Sequence, residues 1–167
     1  MLAAFGVALA KALPRRRVAT LAAILVTLFG AGVAVSGIAS CDPGCPQTGG
    51  SVENLIHNSI APIAFLCLIA AAGILGAIFR GNPAWRSLSI YSLISSLAGL
   101  GLLVVLASSL DTRELTGLWQ RLLLAVLFLW CAVVCLRVFR HLTSHGSPSN
   151  NGMQPMREKP RAADAER

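Results

Sequence analysis

The sequence predicts an all-α protein: a polytopic membrane protein built as a bundle of four transmembrane helices. Three observations carry this. First, only 13% of its 167 residues are charged and 55% are hydrophobic, with mean hydropathy +0.69, against roughly 25% charged in an ordinary soluble chain. Second, the apolar residues gather in four runs, 18–40, 59–79, 88–110 and 117–136. Each is about 20 residues long, the length of helix that crosses a ~30 Å hydrocarbon core. Third, of 14 Lys and Arg, all but Arg113 and Arg121 precede the first run, lie between the second and third, or follow the fourth. This is the positive-inside pattern. It puts both termini in the cytoplasm, loops 41–56 and 111–116 outside, and the chain in the cell's inner (plasma) membrane.

Three segments follow: 1–17, an N-terminal cytoplasmic or interfacial piece; 18–140, the four-helix membrane domain; and 141–167, a disordered cytoplasmic tail. The net charge of +7 belongs to the topology and to anionic lipid headgroups. No interleaving of aromatic and basic residues supports nucleic-acid binding, so the bilayer is the expected partner and nucleic acid is not.

Residues 1–13, MLAAFGVALAKAL, are apolar but too few to span, and Pro14 interrupts any helix before the first run begins. That run ends at Ile38-Ala39-Ser40-Cys41, which has the shape of a lipoprotein cleavage box. The run is longer than the ~7–15 residues of a signal-peptide core, however, and the basic cluster at Arg15–Arg17 sits far from the start. The preferred reading is an uncleaved helix that surfaces near Ser40.

In the loop that follows, Pro43 and Gly44 occupy the central positions of a type II turn, since Pro presets φ and Gly accepts φ > 0. The turn brings Cys41 and Cys45 together, and an outer loop is oxidising, so a disulfide is expected. Free thiols and a redox-active or metal-binding pair are the alternatives. Cys-x-x-x-Cys is not the Cys-x-x-Cys redox spacing. A zinc site needs four ligands, and His57 supplies only a third. No metal and no cofactor is expected.

The second and fourth runs begin on polar residues at the same outer depth. Asp42, Glu53, His57, Asn58, Gln120 and Arg121 form a candidate cluster there, either structural or ligand-binding. Arg121 is the one charge inside any run. Its burial costs roughly 2–3 kcal/mol at the membrane centre, so a carboxylate partner is expected, Glu53 or Glu114, with His57 and Gln120 nearby. Otherwise Arg121 snorkels to the headgroups.

The third run carries Ser92/Ser96 and Ser95/Gly99 at helical spacing, and the second carries Ala72/Gly76 and Gly73/Ala77. Such small-residue faces let helices approach closely, within one chain or across a homodimer seam. Cys67, Cys131 and Cys135 read as small packing groups. Trp85 and Trp119 suit interfacial anchors, Trp130 suits packing, and His141 and His145 suit a solvated tail.

The pattern Cys41-Asp42-Pro43-Gly44-Cys45-Pro46, His57-Asn58 at the head of a long apolar helix, Trp85-Arg86, Tyr91-Ser92 and Gly117-Leu118-Trp119-Gln120-Arg121-Leu122 resembles the DUF998 family. These are uncharacterised integral membrane proteins of bacteria and archaea. The resemblance covers residues from about 13 to 140 and implies a small helical bundle with no soluble domain. It implies no activity. Members usually carry further helices at the N-terminus, so this chain is expected to be a short member truncated there.

The function expected is therefore that of a non-enzymatic membrane component: structural, interacting with a membrane-protein partner or a second copy of itself, or ligand-sensing. One alternative is a membrane enzyme or thiol-redox protein using the outer Cys/His/Arg cluster. No nucleophile–base motif completes a catalytic set for it. Another is an oligomeric transporter subunit, for which the serines of the third run are the only mid-membrane polar groups.

Overall fold

The computed structural model describes residues 2–12, 17–81, 83, 85–112 and 114–145. They form five helices: α1 (Leu2–Ala12), α2 (Arg17–Ile38), α3 (Val52–Arg80), α4 (Ser87–Thr112) and α5 (Thr116–His145). There is no strand among the described residues. Helices α2 to α5 are each long and apolar enough to cross a membrane, which bears out the all-α, four-span class.

Helices α3, α4 and α5 run beyond the apolar runs into polar turns. Helix α3 starts at Val52 rather than 59 because Ser51 caps it: its hydroxyl accepts the Asn54 N–H, and Glu53 sits in the positive first turn. It ends on Arg80, with the Gly81 N–H returning to the Ile78 and Phe79 carbonyls. Helix α5 continues through Arg137 and Arg140 to His145. Hydropathy marks only the stretch that must sit in hydrocarbon, and it is silent about the polar turns beyond. Residues 141–145, expected in the tail, are thus helical, and the rest of the proposed tail, 146–167, lies outside the described residues.

Consecutive helices pack antiparallel. Phe29 of α2 meets Phe65 of α3 at 6.3 Å between ring centroids. The α3–α4 seam is hydrogen-bonded, with Ser89 Oγ donating to the Gly76 carbonyl at 2.7 Å and Ser96 Oγ to that of Ile69 at 2.9 Å. Between α4 and α5, buried Trp130 donates its indole N–H to Ser92 Oγ at 3.0 Å. The small-residue faces of α3 and α4 therefore pack within one chain. Phe29 also meets Phe128 of α5, at 6.0 Å, and so joins the first span to the last.

Helix α1 packs on α2 and α5, with Phe5 and Leu9 in the same core as Phe29, Leu68, Leu75 and Leu127. Trp85 is buried too, stacked on Phe79 at 5.6 Å and met edge-on by His141 at 5.2 Å. It is a packing residue rather than an interfacial anchor, because α5 runs far enough to cover it. Ile63, Leu66, Ile94, Leu97, Val104 and Leu129 point outward and are exposed. Helices apolar on both faces suit lipid on the outside of the bundle and protein within.

Candidate functional site

The site is built at the end of the bundle where α2 stops and α3 and α5 begin. Asp42-Pro43-Gly44-Cys45 forms the expected turn: the Cys45 N–H donates to the Asp42 carbonyl at 2.7 Å, and Gly44 has φ of 82°. Cys41 and Cys45 are joined by a disulfide, with Cα atoms 5.1 Å apart.

The loop is tied down from both sides. The Asp42 carboxylate accepts the Ser51 N–H at 2.6 Å and the Ser51 hydroxyl at 2.8 Å. The backbone bond, then the hydroxyl, hold its pKa below the ordinary aspartate range. Asn54, 1% exposed, is the hub. Its Nδ2 donates to the Pro46 carbonyl at 2.9 Å and the Gly49 carbonyl at 3.3 Å, while its Oδ1 accepts the Asp42 N–H at 3.3 Å. Gly50, with φ of 89°, passes so close that a Cβ would lie 2.7 Å from Asp42 Oδ2. Neither Ser51 nor Asn54 stood out in the sequence, since a polar residue at the head of a helix is common and only the loop's path gives it a role.

His57 and Asn58 stand one turn further along α3. His57 Nδ1 lies 3.1 Å from the Ser36 carbonyl oxygen and 3.0 Å from that of Ala39. Asn58 Nδ2 donates to the Pro46 carbonyl at 2.8 Å.

Below the loop lies a cavity of about 200 Å³ among α3, α4 and α5. Its polar end carries Cys41, Cys45, Gln47, His57, Asn58 and Gln120; Phe65, Leu103, Leu106 and Leu110 supply the apolar wall. Thr116 and Pro62 also line it. Pro62 has no N–H, so the Asn58 main-chain carbonyl lacks its usual helical donor.

Of the candidate cluster, His57, Asn58 and Gln120 meet at this cavity together with the disulfide. Asp42 stands behind the loop as a tether. Glu53 and Arg121 are exposed, and neither makes an ion pair among the described residues. Gln120, not its neighbour Arg121, faces the cavity, because successive residues of a helix point about 100° apart. Among the described residues no group of three or more His, Cys, Asp or Glu could hold a metal ion.

A family described as "Protein of unknown function (DUF998)" matches the chain over residues 1–137. No curated protein and no solved structure matches it.

Proposed function

Because the chain belongs to the DUF998 family, which is defined without an activity, we propose a role from its geometry: a non-enzymatic inner-membrane component that binds a small amphipathic molecule in the cavity under the disulfide loop. The observation that carries this reading is the convergence of three separate elements on one cavity, polar at the loop and apolar toward the membrane. At about 200 Å³ it exceeds the ~150 Å³ that accommodates benzene but falls below the ~300 Å³ of a drug-sized site. It suits the end of a molecule whose remainder stays in lipid.

Two observations support a loop end outside the cytoplasm. Arg17, Arg80, Arg86, Arg137 and Arg140 lie at the opposite end of the bundle, and a disulfide persists in an oxidising compartment. Maleimide added outside should label Thr48→Cys and not Pro83→Cys; the reverse labelling inverts the orientation.

The binding reading is tested by filling the cavity. Ala107→Phe should lose co-purifying small molecules in native mass spectrometry while keeping the melting temperature of the wild type. Equal retention by the filled variant would remove the cavity as the site. Because both half-cystines line it, thiol-redox turnover is the second reading. It requires that Cys41→Ala/Cys45→Ala abolish a thiol exchange that the wild type performs.

A further inference from the structure

The polar end of the cavity offers hydrogen-bond acceptors. Both partners of His57 Nδ1 are carbonyl oxygens, which can only accept, so Nδ1 carries a proton, and in the tautomer this selects Nε2 is the acceptor. Thr116 has one hydroxyl proton, and it goes to the Ser109 carbonyl at 3.0 Å. Asn58 Nδ2 gives one of its two N–H to the Pro46 carbonyl at 2.8 Å and Gln47 Nε2 one of its two to the Cys45 carbonyl at 3.2 Å, which leaves Oδ1 and Oε1 as acceptors. His57 and Thr116 thus direct their one donor at backbone carbonyls of this chain, and Asn58 and Gln47 one of two. Gln120 alone keeps both ends of its amide uncommitted among the described residues.

Charge is the second constraint. Among the described residues no Asp, Glu, Lys or Arg lines the cavity. A carboxylate, a phosphate or an ammonium would leave water with no counter-charge, which is costly in an apolar surround. An ether or ester can accept from the Gln120 amide but brings no donor for the lining acceptors. Acceptors around a neutral, apolar-walled cavity are complementary to an uncharged O–H on a hydrocarbon chain.

On the reading that the cavity is a binding site, we infer that its ligand is a lipid alcohol, whose hydroxyl donates to His57 Nε2 or the adjoining oxygens while its first carbons lie against Phe65, Leu103 and Leu106. The alcohol's oxygen can in turn accept from the Gln120 amide.

The experiment uses the wild-type chain in lipid nanodiscs, so no variant has to fold. A long-chain alcohol carrying a diazirine is photolysed with the protein, and the crosslinked peptides are mapped by mass spectrometry. Unlabelled competitors share one chain length and differ only at the head: alcohol, methyl ether, carboxylic acid and primary amine. Label should fall on the α3 and α4 wall around Phe65 and Leu103–Leu106. The alcohol should compete roughly tenfold better than the ether, the scale of one hydrogen bond, and better than either charged head. Competition by the ether equal to that of the alcohol, or by the acid or amine equal to it, overturns the inference and leaves the binding site in place. Absence of label from the wall, with label spread over the lipid-facing residues, overturns the binding site itself.

Discussion

His57 Nδ1 lies 3.0 Å from the carbonyl oxygen of Ala39, so a side chain of α3 closes the C-terminal end of α2. The last carbonyls of a helix have no partner within it, and here they are met by a ring that also lines the cavity. One contact therefore fixes both the α2–α3 junction and the tautomer that the cavity presents. Replacing His57 by Leu leaves the Ser36 and Ala39 carbonyls without this donor and should lower stability by about 1–3 kcal/mol. His57→Gln keeps a donor on a flexible chain and should restore part of it. Thermal unfolding in one detergent compares the three proteins, and a Leu variant as stable as wild type would show that the contact contributes nothing.

Asp42 makes the loop sensitive to acid. Its pKa is lowered by the Ser51 N–H and hydroxyl, so the folded chain binds a proton less readily than the unfolded one. The stabilisation is fully present above the ordinary aspartate value of ~4 and fades as pH falls through the lowered folded value. Asp42→Asn should therefore melt below wild type at neutral pH, and the gap should close as the pH is taken under ~4. A gap that stays constant down to acid pH would assign it to shape rather than charge.

Trp130 and Ser92 are both fully buried, and the indole N–H has the serine hydroxyl as its partner at 3.0 Å. Hydrogen bonds between membrane helices average about 0.6 kcal/mol and reach about 1.7. Ser92→Ala should lie in that range, because it strands a buried donor. Trp130→Phe alone also opens space, so the informative measurement is the double-mutant cycle. Strict additivity of the two single effects would mean that the bond carries no coupling.

Two glycines of the spans should behave oppositely. A Cβ at Gly76 would lie 2.8 Å from Leu93 Cγ and 3.1 Å from the Leu93 nitrogen, whereas one at Gly101 meets nothing within 4 Å. Gly76→Ala should push α3 from α4 and cost on the order of 1–3 kcal/mol. Gly101→Ala should be neutral or stabilise by up to about 1 kcal/mol through helix propensity. Unfolding in mild detergent distinguishes them, and equal effects would place the α3–α4 seam elsewhere.

The sequence by itself determined the class, the number of spans and the turn that carries the disulfide. Each rests on a local signal: about 20 apolar residues for a span, Pro43-Gly44 for a type II turn, and two cysteines set on either side of it. It also located the polar end of the site, since His57, Asn58 and Gln120 stand at the heads of apolar runs at matching depth. Tertiary structure alone decided what those residues touch. Arg121 drew attention as the only charge within a run, yet it faces outward while Gln120 turns to the cavity, because rotation about a helix axis is set by which neighbour packs against it. The acceptors that the His57, Asn54 and Asn58 side chains donate to are backbone carbonyls at Ser36, Ala39, Pro46 and Gly49. Every residue carries such a carbonyl, so no pattern of side chains marks these few. They are selected only when the end of α2, the Cys41–Cys45 turn and the start of α3 are folded against one another.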